Sequence, residues 1–172
     1  MQLRKVILGL ATVTMLASCG AKQISKAEAI KLAQENYDAS NQVYKSAHYK
    51  TVTEALYSDN VPEVMREVKS STNEGEMTDP EEIAWFRLDS NDFKDLDEKE
   101  VTFKADGKKL EISSSKTSTE DGITYTTYKS VKCDEIGYIL EEYGETKTSA
   151  TMSSGVVYEV TIKTTMTLTW SK

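Results

Sequence analysis

The chain has 172 residues, 38% of them hydrophobic and 28% charged, and a formal net charge of −7. This length and composition are typical of one globular domain rather than a disordered chain, and the acidic balance excludes a surface that binds nucleic acid through its phosphates. The single histidine and two cysteines exclude sites that need several such ligands.

The first eighteen residues differ from the rest of the chain. A basic start with Arg4 and Lys5 is followed by the uncharged apolar run 6–16 and then by two small residues. As a helix this run rises only about 16 Å, roughly half of a bilayer core, so it is too short for a permanent membrane span. The pattern predicts a cleaved export signal over residues 1–18.

Cys19 follows this signal directly. The stretch LASC at 16–19 resembles the lipobox of bacterial lipoproteins at every position. In that family the thiol takes a diacylglycerol, the cysteine becomes the new N-terminus, and a further acyl chain such as palmitate is usually added. The resemblance implies lipidation at Cys19 and a location in the cell envelope, anchored to a membrane on its extracytoplasmic side. The alternative is a cysteine buried in an apolar N-terminal helix.

Cleavage would change the charge and the cysteine chemistry. It removes Arg4 and Lys5, which leaves 19 basic against 28 acidic side chains and a net charge of about −9. Cys133 would then have no partner in the chain, and alternation in its strand-like run predicts a small buried hydrophobe there. Residues 19–24 form a short tether before one α+β domain, predicted over residues 25–172.

This domain is predicted to open with a long helix. Ser25 and Glu28 fit a capping box, and the helix is expected to run from Lys26 to about Tyr44. Its apolar face is predicted from helical spacing to comprise Ala27, Ile30, Ala33, Tyr37 and Tyr44.

The middle of the chain gives mixed signals. Residues 46–57 are rich in Thr, Tyr and Val and predict a strand. Residues 61–70 fit either a short helix after Pro62 or an edge strand. Residues 73–80 read as a loop, and residues 81–88 as a brief helix capped at Thr78, with a strand as the alternative.

The C-terminal half predicts an antiparallel sheet. Residues 101–115 form a hairpin pattern that turns at Asp106-Gly107, and further turns follow at 121–122 and 134–137. The clearest alternation is in the last strand, 156–170, where one face carries Val156, Tyr158, Val160, Ile162, Met166, Leu168 and Trp170, interrupted only by Thr164. At about 3.3 Å per residue this strand would be near 50 Å long, so it must bend or be shared between partners.

The predicted fold is therefore α+β, a curved antiparallel sheet covered by the N-terminal helix. The order of the segments at 45–55, 105–113 and 133–139 resembles lipoproteins of the LolA and LppX type, which are half-barrels that carry lipids or lipidated proteins. The opening ISKAEAIKLAQ at 24–34 also resembles the first helix of PepSY modules. These are cystatin-like and often act as inhibitors or regulators, so that architecture is the alternative.

Residues that could carry catalysis or bind metal do not form a convincing site. His48, the sole histidine, falls in a strand and is expected to be a half-exposed sheet residue. The run 89–100 matches several ligand positions of an EF-hand, but Phe93 and Lys94 stand where a ligand and the turn glycine are needed. We expect no enzymatic activity, no metal and no cofactor.

The expected function is that of a non-enzymatic, membrane-anchored lipoprotein that binds or carries acyl ligands in a half-barrel. The membrane is its partner through the lipid anchor; a lipid or protein partner beyond that has no signature in the sequence. The predicted lining of the ligand cavity is Val160, Ile162, Met166, Leu168 and Trp170, and the alternative is that these residues are packed core. The alternative function is a surface protein-interaction or PepSY-like regulatory module without a cavity.

Overall fold

A computed structural model describes residues 20–39 and 43–172. The predicted signal, residues 1–18, and the predicted lipidation site, Cys19, lie outside the described residues. Within those ranges the chain is an α+β structure with one main helix and an open eight-stranded antiparallel sheet. The predicted fold class is confirmed at that level.

The strands are β1 (Lys22–Ile24), β2 (Ser46–Tyr57), β3 (Ser71–Met77), β4 (Val101–Asp106), β5 (Lys109–Glu120), β6 (Ile123–Cys133), β7 (Ile139–Thr151) and β8 (Val157–Ser171). The helices are α1 (Lys26–Ala39) and α2 (Pro80–Trp85), with short 3₁₀ turns at Glu63–Met65 and Ser90–Phe93. The spatial order of the strands is β1-β4-β5-β6-β7-β8-β2-β3. The last strand in the chain therefore lies inside the sheet.

Helix α1 begins as the sequence predicts. The Ser25 backbone N–H donates to Glu28 Oε2 at 2.8 Å, and the Glu28 N–H donates to Ser25 Oγ at 3.2 Å, which completes the capping box. The Ser25 backbone N–H and the Ser25 hydroxyl both donate to Glu28 Oε2 at 2.8 Å, and these two bonds hold the pKa of the Glu28 carboxyl below its ordinary value.

The predicted length and apolar face of α1 are wrong. The helix ends at Ala39, and Tyr44 lies beyond it, just before β2. Its buried residues are Ala29, Ala33 and Asn36, of which only Ala33 belongs to the predicted face. The spacing is helical, but the buried stripe includes a polar residue whose Nδ2 donates to the Lys108 carbonyl at 2.7 Å. A hydrophobicity pattern does not select an asparagine for a buried face.

The register divides the sheet into two faces. We call the inner face the one that carries the apolar side chains Phe103, Ile112 and Val131, which lie side by side on β4, β5 and β6. The outer face is polar, with cross-strand pairs such as Lys132 with Glu141, whose Nζ and Oε1 are 2.7 Å apart. This is the expected pattern of an antiparallel sheet with one wet side.

The buried core covers only one half of the inner face. We call this the proximal half; it contains the β4–β5 turn, the C-terminal ends of β6 and β8, and the N-terminal ends of β2 and β7. Helix α1 contacts β4, β5 and the Ser90–Phe93 turn, and Ile83 of α2 joins the same core. In the described part of the chain, this contiguous core cluster includes no residue from the other end of the strands, the distal half, where Val61 after β2 is buried separately at 3% exposure.

Several local predictions are confirmed and two are wrong. Strand β2 and the 101–115 hairpin appear as expected, and residues 80–85 form the brief helix, although its N-cap is Asp79 rather than Thr78. The loop predicted at 73–80 is wrong for its first part, because Ser71–Met77 is an edge strand paired with β2. Its polar sequence shows no alternation because most of its side chains are exposed.

Candidate functional site: the inner face of the sheet

The five residues predicted to line a cavity share the inner face of β8. The register places Val160 beside Tyr57, Ile162 beside Ala55, and Met166 beside Thr51 on the neighbouring strand β2. Further along, Leu168 lies beside Tyr49 and Trp170 beside Ala47. The alternation read from the sequence therefore identified a real row of side chains.

The three residues at the proximal end of this row pack against the core. Leu168 is 4% exposed, and Met166 and Trp170 are partly buried against the same cluster. Trp170 Nε1 donates to the Ile139 carbonyl at 2.7 Å, and its ring centroid lies 4.9 Å from that of Tyr138. These contacts give this end of the row a structural role.

The two remaining residues, Val160 and Ile162, lie in the distal half. Both are half-buried, and neither belongs to the core cluster. On the same face the register places Ala55 and Tyr57 beside them on β2, and Thr146 and Thr148 beside them on β7. The apolar and small side chains further along this face are Ile123, Tyr125, Ala150 and Tyr158. We call this set, with Val160 and Ile162, the distal inner surface.

The distal inner surface meets the core at two ionisable residues. Lys129 and Glu142 both lie on the inner face, on the neighbouring strands β6 and β7. Partial burial lowers the pKa of the Lys129 ammonium and raises the pKa of the Glu142 carboxyl, because each loses hydration. Gly144 lies directly opposite Lys129, and a Cβ there would meet no atom within 4 Å. The border is therefore polar and open above Gly144.

This arrangement is an open surface. Two depressions in the described structure have volumes of about 450 and 380 Å³. The first is lined by residues of 52–56 and 70–72, and the second by residues of 43–45, Pro80 and Ile83. Neither includes any of the five predicted lining residues. Within the described residues, these five border no enclosed ligand cavity.

A cluster of aromatic rings around one arginine has no signature in the sequence. The Arg87 guanidinium lies 4.2 Å from the ring centroid of Tyr37 and 5.2 Å from that of Tyr138. Its Nε also donates to the Ile136 carbonyl at 3.2 Å. Tyr44 stacks against Trp170 at 5.6 Å and donates its hydroxyl to Asp134 at 3.0 Å. These residues come from separate segments of the chain, so no local sequence pattern indicates that they form a cluster.

The other residues considered as candidates in the sequence lie in ordinary structural environments. His48 lies on the outer face, its side chain 47% exposed, with Nδ1 2.9 Å from Glu76 Oε1. Cys133 is 3% exposed, as predicted for a buried hydrophobe, and burial raises the pKa of its thiol. In the 89–100 run, Asp89 caps a 3₁₀ turn that inserts Phe93 into the core. Across residues 20–39 and 43–172, no group of three or more His, Cys, Asp or Glu side chains could hold a metal ion.

Comparison of the chain with protein-family models, curated proteins and solved structures gave no match. Among the helices that the structure describes, none is long and apolar enough to cross a membrane.

Proposed function

We propose that this protein is a non-enzymatic lipoprotein of the cell envelope that binds acyl ligands on its distal inner surface. In this proposal Cys19 carries the lipid anchor and the domain lies on the extracytoplasmic side of the membrane. The proposal has two separable parts, the anchor and the ligand, and each has its own support and its own test.

The anchor is supported by the sequence at 1–19. A basic start, a short apolar run and a complete lipobox stand in the order that export and lipidation require. Two or three acyl chains give stable attachment, since each buried methylene contributes about 0.8 kcal/mol. Intact mass of the mature protein tests this part. We expect loss of residues 1–18 with a gain of diacylglycerol, and no such gain in Cys19→Ser.

The ligand part is carried by one observation: apolar side chains lie on the inner face past the end of the core. Val160 and Ile162 are separated from Met166 by Thr164, and Ala55 and Tyr57 lie beside them on β2. Such a surface, bordered by Lys129 and Glu142, suits a molecule with a long apolar part and a polar head. An open antiparallel sheet with one covered half also fits the half-barrel interpretation of the fold better than a small cystatin-like sheet.

Native mass spectrometry of the Cys19→Ser chain tests the ligand. Without a covalent acyl group, any acyl mass that remains with the protein is bound ligand. We expect a bound lipid, or capture of added palmitic acid. The variant Ile162→Glu should lose it, because a carboxylate would stand among the apolar side chains of the distal inner surface. Thr161→Glu is the matched control, since it places the same charge one residue away on the outer face.

An unliganded Cys19→Ser chain that captures no palmitic acid would refute the carrier. So would equal retention by the Ile162→Glu and Thr161→Glu variants.

The second candidate function is a protein-interaction module. The observation that favours it is a set of exposed apolar side chains at the end of β2 and just after it, where Val64 is 91% exposed and Leu56 and Met65 are about half exposed. Exposed aliphatic side chains grouped in this way are typical of contact surfaces. Under this proposal Val64→Asp would abolish binding to a protein partner and leave any acyl ligand in place.

A further inference from the structure

The chain enters the sheet at one defined corner. Strand β1 begins at Lys22, three residues after Cys19, and pairs with β4 in the register Lys22 to Ala105. A Cβ placed on Gly20 would lie 3.6 Å from the Asp106 carboxyl group, beside the β4–β5 turn. The described chain therefore begins beside this turn, and a lipid carried one residue before Gly20 would attach at the proximal end of the sheet.

The distal inner surface lies at the opposite end. Strand β5 runs from Lys109 beside the attachment corner to Glu120 at the distal turn. Eleven steps of about 3.3 Å make this distance about 36 Å. Strands β6, β7, β8 and β2 run alongside it, so the whole distal half extends away from the point where the chain enters.

We infer that the proximal end is the surface that faces the anchoring bilayer, and that the sheet stands upright on it with the distal half in the aqueous space. This inference rests on the proposed lipidation at Cys19 and is independent of the proposed ligand. The partner it assigns to the proximal end is the headgroup layer of the membrane.

The length of the tether supports this posture. The tether predicted at 19–24 is shorter than expected, because Lys22–Ile24 forms β1. The three steps from Cys19 to Lys22 span at most about 11 Å, so the proximal corner would stay within about 11 Å of the lipid attachment point. Strand β1 runs along the same axis as the long strands and away from the entry corner. An upright sheet therefore does not require the chain to turn back within the tether.

The charges near the entry point are mixed. Lys22, Lys108 and Lys109 outnumber Asp106 at this corner, whereas the 89–100 segment in the same half of the sheet carries six acidic side chains and two lysines. The short tether, and not charge, determines which end faces the membrane.

The posture determines what the distal inner surface can reach. A ligand bound near Val160 and Ile162 would be held away from the bilayer in which the protein is anchored. A partner that loads or removes this ligand would approach through the aqueous phase.

Two labelled variants measure the posture. Lys109→Cys and Thr119→Cys place a fluorophore on the same strand and the same face, at exposed positions about 33 Å apart. The buried Cys133 remains unlabelled in the folded protein, and Cys19 is blocked by its lipid. The mature lipoprotein is inserted into vesicles of phosphatidylethanolamine and phosphatidylglycerol that carry a headgroup energy-transfer acceptor.

We expect strong energy transfer from position 109 and at least a severalfold weaker transfer from position 119. Equal transfer from the two positions, or stronger transfer from 119, would overturn the posture. Vesicle binding by matched Cys19→Ser chains separates the two proposals. If binding requires Cys19 and transfer is equal, the posture alone is wrong; if binding does not require Cys19, the anchor and the posture both fail.

Discussion

Replacement of Phe93 by alanine should be among the most destabilising single changes in the chain. The 3₁₀ turn at Ser90–Phe93 inserts this ring into the core, where it is fully buried with its centroid 6.0 Å from that of Phe103. Truncation removes the transfer free energy of the ring and leaves a cavity, and such changes cost about 3–5 kcal/mol. That is a large fraction of the roughly 5–15 kcal/mol that stabilises a domain.

Urea unfolding followed by tryptophan fluorescence measures this loss, because Trp170 packs against the same core. With a urea m-value of about 2 kcal/mol/M, the midpoint should fall by about 1.5–2.5 M. Val64→Ala is the control, since this side chain is 91% exposed and its loss should change stability by less than about 0.5 kcal/mol. A loss below about 1 kcal/mol for Phe93→Ala would show that the acidic 89–100 segment does not close the core.

Three further predictions concern single groups. Because burial raises the pKa of Glu142, the folded state holds this proton more tightly than the unfolded chain, so its contribution to stability falls as the pH rises from about 4.5 through the raised value. The stability of Glu142→Gln relative to the native chain should therefore be higher at pH 7 than at pH 4. If the urea midpoints of the variant and the native chain differ by the same amount at both pH values, this reasoning is wrong. The Cys133 thiol should react with a disulfide reagent only after unfolding, since it is buried and its pKa is raised; rapid modification of the folded protein would be the contrary result. Gly75→Ala should lower the melting temperature because the new Cβ would lie 2.7 Å from the Tyr49 hydroxyl, whereas Gly144→Ala, with open space above it, should leave the temperature unchanged or raise it; equal effects of the two would refute the close approach.

The long strands were predictable because one face of the sheet is buried and the other is wet. In β8 the alternation of Val160, Ile162 and Leu168 with polar residues follows directly from this geometry. The turn at 121–122 was also predictable from local sequence. Both residues have positive φ, and glycine favours that conformation. Local patterns of this kind identify strands without any knowledge of their neighbours.

The missed features depend on contacts between distant segments. Strand β3 is an edge strand with polar side chains, so only its pairing with β2 reveals it. The buried face of α1 includes Asn36 because the Lys108 carbonyl, far along the chain, accepts its hydrogen bond. No window of sequence contains both partners.

The candidate site shows the same division. Alternation placed Val160, Ile162 and Leu168 on one face, but it could not tell which of them the core would cover. That depends on where the 80–100 segment and α1 pack, and they cover only the proximal half. The division of the row into a packed part and an open part is a property of the tertiary structure.

The position of β8 also bears on how the protein is made. This strand follows the other seven along the described chain, yet it joins β7 to β2 and pairs Ser171 with Ser46. Until it emerges, the β2–β3 hairpin and the β4–β7 meander are separate pieces with unpaired edges, and such distant pairings form slowly. In a polypeptide made from its N-terminus, this sheet can therefore be completed only after β8 has emerged.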